Sequence, residues 1–379
     1  MIQATNNLID NEQHIELIAK NVDLNVINDK LQITSKNDNN KNFIDPENKI
    51  KSIPLRKSVQ RIVLGILILT FTIVAGSSST AITSSLNLKN PVLKLAWRQT
   101  CMLPYLIILA IIELRFFEKQ FRLWDYIKKW ENIKSLSIIG VYSNLMSLGY
   151  IWSAEYTIIG HSCLFAGLGG AFIVIFQLIR RQFIHRFELQ GTIISIAGCV
   201  IALFDSRAEK VNQVKQNILL GDCIAVIGSI FAAVYFMNQG RLMNSNLPPF
   251  TCNALLFISA VISINLFGII VLPDFEANMK PEVGAFAFLT PEYALYSFTK
   301  LGIVAGCFTF AALGYLVKEF SPLVMCTAYL VEPFFAQIAS CFLGLDKIPG
   351  ILSAIGCVVT LVGMYLVGLG NKKRQESGK

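Results

Sequence analysis

The residues able to do chemistry in this chain are few, and they stand inside apolar sequence. Glu332 lies within Tyr329-Leu330-Val331-Glu332-Pro333-Phe334-Phe335-Ala336. A carboxylate in such surroundings is costly unless it meets a partner or a wet cavity, which makes it a candidate for substrate binding or proton coupling. The plainer reading is a Glu that hydrogen-bonds neighbouring helices and fixes their packing. Pro333 has no backbone N–H, so it is expected to free a carbonyl near Tyr329 and to kink its helix. Tyr329 joins Glu332 as a candidate substrate contact. His161 could titrate or bind substrate, or could simply hydrogen-bond across helices. Asn144, Gln177 and Gln337 are polar groups at membrane depth, where each needs an interhelical partner or water. Tyr150 and Tyr315 fall toward the ends of their helices, as interfacial anchors or as a pair of gates.

Other chemistries lack their motifs. There is no HExxH, GxSxG or Walker sequence, so neither catalysis nor direct ATP drive is expected. Ala166-Gly167-Leu168-Gly169-Gly170-Ala171 resembles a phosphate loop only in composition, and its small residues suit close helix packing or a bend. Nine cysteines occur without CxxC spacing, which gives no zinc ribbon and no disulfide framework. No metal or other cofactor is expected. The net charge of +8 is scattered beside apolar runs rather than gathered into a basic, aromatic-rich stretch, so nucleic acid is not the expected partner.

The elements that must position these groups follow from composition. Of 379 residues 54% are hydrophobic and 15% charged, against roughly 25% charged in a soluble domain. Mean hydropathy is +0.54. Water is the wrong solvent for most of such a chain, and the expected partners are a lipid bilayer and a small-molecule substrate. Apolar segments long enough to cross a bilayer fall at about 60–81, 94–115, 134–153, 156–179, 188–205, 218–238, 250–272, 297–317, 322–344 and 349–369. The fold class is therefore an all-α polytopic membrane protein with ten transmembrane helices. A polar, Asn-rich tail over 1–56 precedes them, and a short basic tail over 371–379 follows.

Lys and Arg cluster before the first span, between the second and third, after the fourth, and beyond the tenth. Fewer stand on the other side, among them Lys89, Lys94, Arg98 and Arg207. By the positive-inside rule both termini face the cytosol. The organelle is not encoded.

A shift of 165 residues places Leu148-Gly149-Tyr150-Ile151 on Leu313-Gly314-Tyr315-Leu316, Gly191 on Gly356, and Gly198 on Gly363. This divides the chain into five-helix units at 57–206 and 217–370. An odd number of crossings per unit makes the two inverted about an axis in the membrane plane, an arrangement suited to alternating access. Gly356 and Gly363 share one face of the last helix, but Val367 stands where a GxxxG pattern would continue, so a homodimer remains open without sequence support.

Ser321-Pro322-Leu323-Val324, the Glu332-Pro333 pair, Leu343-Gly344-Leu345-Asp346, and Gly356 with Gly363 together resemble the C-terminal EamA repeat of the drug/metabolite transporter superfamily. The first half resembles the same repeat more faintly, with Leu168 opposite Pro333 and Arg181 opposite Asp346. The resemblance implies a ten-helix secondary transporter whose central cavity is lined by the third, fourth, eighth and ninth helices, which would put Asn144 and Gln337 near Glu332. A nucleotide-sugar-type antiporter of the Golgi or endoplasmic reticulum is one alternative; a non-transporting scaffold or receptor on the same fold is another. The ninth span carries no Lys or Arg between Lys318 and Lys347, so an anion site would need another donor.

Overall fold

Asn90 and Pro91 show how this chain starts a helix. The Asn90 side chain accepts a hydrogen bond from the Val92 N–H at 2.9 Å, and Pro91 fills the first helical position, where a missing N–H costs nothing. The computed structural model describes residues 55–86, 88, 90–118, 121–205, 217–243, 247–319, 325–326, 329, 332–345, 347–348 and 350–376. The polar tail expected over 1–56 lies almost wholly outside them. Residues from Val59 onward form one compact unit.

Twelve helical elements position the site. They are α1 (Leu55–Ser84), α2 (Pro91–Ile112), α3 (Trp130–Tyr156), α4 (Ile159–Ala166), α5 (Gly169–Ile179), α6 (Arg186–Leu203), α7 (Ile218–Met243) and α8 (Pro249–Val271). Then follow α9 (Pro291–Tyr296), which continues as a π-helical stretch over Ser297–Cys307, and α10 (Leu313–Glu319), α11 (Glu332–Phe342) and α12 (Ile351–Glu376). No strand is present among the described residues. Seven helical stretches there are long and apolar enough to cross a membrane: Leu67–Ser84, Pro91–Phe117, Ile159–Ile179, Ile218–Met243, Pro249–Val271, Pro291–Val317 and Ile351–Arg374. The chain is an α-helical, multi-pass membrane protein. Helices α3 and α6 occupy the places expected of the third and fifth spans, and much of the ninth falls outside the described residues.

Two of these stretches are broken. Between α4 and α5 the chain turns at Gly167–Leu168, and between Phe310 and α10 it turns at Ala311–Ala312. Carbonyls released from a helix at membrane depth must find donors. The Asn253 side chain donates to the Phe310 and Ala311 carbonyls at 2.8 and 3.2 Å. Helix α8, which carries Asn253, is itself capped from outside: the buried Glu113 accepts from the Phe250 and Thr251 N–H groups at 3.2 and 2.7 Å, placing a carboxylate where the helix dipole favours it.

Helices α6 and α12 meet through glycines. A β-carbon on Gly363 would stand 2.5 Å from Ser195 N and 2.6 Å from Gly191 O; one on Gly356 would stand 2.5 Å from Gly198 O. At the centre Ser195 Oγ donates to Thr360 O at 3.4 Å, and Thr360 Oγ1 donates to Ser195 O at 3.3 Å. These contacts exchange with one another under the 165-residue shift: Gly191–Gly363 becomes Gly356–Gly198, and Ser195 becomes Thr360.

The last helix runs further than expected. Rather than giving way to a tail at 371, α12 continues to Glu376. Arg374 gives the reason: it donates to Gln177 Oε1 at 2.6 Å and lies 3.5 Å from the buried Glu188 carboxylate, and Lys373 sits 4.5 Å over the Phe187 ring.

Candidate functional site

The central cavity forms where helices must leave room. Gly76 on α1 and Gly167 and Gly169 at the α4–α5 break have no side chain to fill it, while Gly228 on α7 lets that helix approach Gly149 on α3, where a β-carbon would stand 3.0 Å from Gly149 Cα. A β-carbon on Gly76 would meet Glu332 Oε1 at 3.5 Å and Thr309 Cγ2 at 3.6 Å, ordinary contact distances. The cavity measures about 100 Å³. Its apolar wall includes Met146, Phe236, Phe310 and Leu313, and its polar wall includes Ser79, Thr80, Tyr150, Tyr329, Arg98 and Glu332.

Glu332 opens α11 and is buried. Tyr150 lines the cavity beside it, and the Tyr329 ring packs toward Phe236 with centroids 6.3 Å apart. Pro333 takes the second position of α11, where the backbone has no N–H to lose, and faces a separate hollow. Ser77 ties α1 to this point, its hydroxyl lying 3.2 Å from the Glu332 carbonyl.

Arg98 is the second charge in the cavity and was not among the residues expected there. Counted with the far-side bases by sequence, it lies two turns inside α2 at 4% exposure. Its Nη1 donates to Ser79 Oγ at 3.1 Å, Ser79 in turn donates to the Ala305 carbonyl at 2.9 Å, and the guanidinium carbon stands 5.6 Å over the Phe310 ring. Its Nε has no hydrogen-bond partner, and no carboxylate among the described residues lies within ion-pair distance. Lys94, one turn earlier, is buried too, but Glu155 Oε1 holds it at 2.6 Å. Both bases, counted toward the far side, are buried within α2, which starts at Pro91. Only the helix start at Asn90-Pro91, with Lys94 and Arg98 four residues apart on one face, could have signalled this.

The other expected residues divide among three places. Asn144 is buried between α3 and α8, donating to Ala260 O and Ser263 Oγ at 2.8 Å, and does not line the cavity. Gln337 and His161 line a second hollow of about 560 Å³. There Gln337 Oε1 accepts from the Gly160 N–H at 3.1 Å and its amide donates to Lys347 O at 3.3 Å. His161 lies 2.9 Å from Ser353 Oγ and 3.4 Å from Asp222 Oδ2. The expected trio of Glu332, Asn144 and Gln337 is therefore not one site: Asn144 Nδ2 bonds α3 to α8, and Gln337 Oε1 bonds α11 to α4 at the second hollow. Gln177 accepts from Arg374 at the chain's basic end. Of the paired tyrosines only Tyr150 lines the cavity with Glu332, whereas Tyr315 packs in the apolar core with Leu316 and Val317. In the Ser77–Thr80 run, Ser78 bonds back to Val74 O, while Ser79 and Thr80 face the cavity.

No protein-family profile and no curated protein matches the chain. A solved structure described only as "Crystal structure of protein" superposes with a TM-score of 0.53 at 17% identity, covering 82% of this chain and 98% of that one. At that identity the likeness concerns the fold alone.

Proposed function

We propose that the chain is a secondary transporter of the EamA-like drug/metabolite type, carrying a small organic metabolite by alternating access between two inverted five-helix halves. The observation that carries this reading is the charged cavity itself. Gly76, Arg98, Tyr150 and Gly169 approach it from the first half, and Gly228, Phe310 and Glu332 from the second. Buried ionisable groups around a hollow at membrane depth are expensive to maintain unless something enters it.

The reciprocal contacts of α6 and α12 support the inversion, since a two-fold axis makes residue i meet j and the equivalent of i meet the equivalent of j. The turns at Gly167–Leu168 and Ala311–Ala312 supply broken helices beside the cavity, as such carriers use at their binding sites. With Lys94 and Arg98 buried, the far-side flanks keep even fewer basic residues, which favours both termini in the cytosol. Ten crossings satisfy that orientation.

The test is uptake of a metabolite panel into proteoliposomes by wild type and Glu332→Gln. Saturable uptake by wild type, with altered rate or pH dependence in the variant, is expected. No uptake of any compound would remove the carrier reading, and an unchanged variant would remove Glu332 from its mechanism.

A further inference from the structure

Two cations share one aromatic ring where α6 begins and α12 ends. Arg186 opens α6, Lys373 lies in the last turn of α12, and both are exposed. The Arg186 guanidinium carbon stands 5.3 Å from the centre of the Phe187 ring, and Lys373 Nζ stands 4.5 Å from it. Each cation is attracted to the ring, yet the shared ring holds two like charges no more than about 10 Å apart. Elsewhere among the described residues each such ring takes one cation, Arg98 over Phe310 and Lys300 over Tyr296.

The protein does not neutralise this pair. Glu188 is buried, accepts from the His185 N–H at 3.0 Å and faces Arg374 at 3.5 Å. No carboxylate among the described residues lies within ion-pair distance of Arg186 or Lys373. Two more exposed cations, Arg180 and Arg181, close α5 beside them. Arg374 fastens that loop to α12 through Gln177 Oε1 and the Phe183 carbonyl, at 2.6 and 3.3 Å.

An apolar stripe begins one turn from the pair. Leu189, Ile193, Ile196 and Val200 follow Arg186 at helical spacing along α6 and are 44%, 60%, 43% and 45% exposed. On a helix surrounded by a bilayer such a stripe meets acyl chains.

We infer that this end of the α6–α12 seam binds an anionic phospholipid, its phosphate held by Arg186 and Lys373 and an acyl chain lying along the Leu189–Val200 face of α6. A free phosphate would use the cations and leave the stripe unused; a phospholipid uses both. A phospholipid with its own ammonium brings a third positive charge to the pair and loses part of the attraction. Charge that served only to orient the chain would need no shared ring, and Lys128 and Lys129, exposed before α3, have none. The site is independent of what the central cavity carries.

The experiment equilibrates the full chain in detergent micelles with equal amounts of dioleoyl phosphatidylcholine and dioleoyl phosphatidylglycerol and counts the retained lipids by native mass spectrometry. Wild type is expected to prefer phosphatidylglycerol by about tenfold, less at high salt. Arg186→Gln with Lys373→Gln should bring the preference close to unity, and Lys373→Gln alone, at an exposed position, should weaken it. Arg186→Lys with Lys373→Arg, which keeps both charges, should retain it. Lys128→Gln with Lys129→Gln, which removes as much charge elsewhere, should leave it intact. Equal retention of the two lipids by wild type would overturn the inference, as would a wild-type preference in both Gln variants of the pair. Equal loss in the Lys128 and Lys129 variant would show a diffuse effect of charge instead of a site. Competition by glycerol 3-phosphate as strong as that by dioctanoyl phosphatidylglycerol would show a phosphate site that reads no lipid, and would overturn it too.

Discussion

Two regions of this molecule use glycine in opposite ways. Between α6 and α12, glycines bring backbones so close that a β-carbon on Gly198 would stand 2.5 Å from Thr360 N and 2.7 Å from Gly356 O. Around Arg98 and Glu332 the same residue type holds space open, and a β-carbon on Gly76 would meet its neighbours at no less than 3.5 Å. In the first region nothing can enter, and the polar atoms of Ser195 and Thr360 satisfy each other. In the second, a guanidinium nitrogen and a carboxylate stand within reach of whatever does enter. Packing without helix-to-helix hydrophobic drive depends on such small residues, so the contrast separates a seam from a site.

The sharpest way to break the comparison is to make one substitution in both regions. Gly198→Ala is expected to destabilise the fold by ~1–3 kcal/mol through overpacking against backbone, and Gly198→Leu to leave no monodisperse protein on size exclusion. Gly76→Ala should leave the unfolding temperature near wild type. Equal sensitivity of the two positions would erase the distinction between seam and site.

Next in size is Arg98→Gln. Losing a charged hydrogen-bonding group from the site should lower uptake of the carried metabolite by about 10- to 100-fold, read as kcat/KM in proteoliposomes, without loss of folded protein. Gly76→Val, whose extra methyl groups project beside Glu332, should lower uptake by about tenfold through lost room. Thermal unfolding then reports whether the loss comes from the cavity or from the fold.

The smallest effect lies outside the membrane, in the loop over residues 272–290. Lys280 and Asn278 both hydrogen-bond the Glu276 carboxylate and hold it below the ordinary carboxylate range. A carboxyl group depressed on folding stabilises the loop above its unfolded value, and that contribution is lost as pH falls through the folded one. Hydrogen exchange at the Ala285 N–H, which bonds Glu276 O at 2.8 Å, should accelerate on acidification in wild type. In Glu276→Gln it should be independent of pH in that range once intrinsic exchange is corrected. Neither seam nor cavity should respond to this change.

The glycines of the seam were legible in the sequence, though not which helices they join, and half of the site was not. Gly191, Gly198, Gly356 and Gly363 repeat at a fixed shift, so spacing aligned them; that the two helices touch through them is what the structure adds. Glu332 was legible because a lone carboxylate in an apolar run stands out. Arg98 was not, since a base near the start of a span reads the same whether it flanks the membrane or turns inward. Two turns of α2, about 10 Å of rise, separate those readings, and the Asn90-Pro91 start fixes which holds. Asn144 and Gln337 were misplaced for a related reason. An amide in a membrane helix serves equally well as a cavity wall or a strut, and only the positions of Ala260, Ser263 and Gly160 assign them to struts.

The claim that the Arg98–Glu332 hollow is a translocation site can be tested without knowing the substrate. Cys326 is a native thiol in its wall. A membrane-impermeant thiol reagent would be applied to one face or the other of sealed vesicles containing uniformly oriented protein, and Cys326 modification read by peptide mass mapping. Alternating access predicts modification from each face in turn, faster when conditions favour opening toward that face. Modification from one face alone, or from neither, would contradict it.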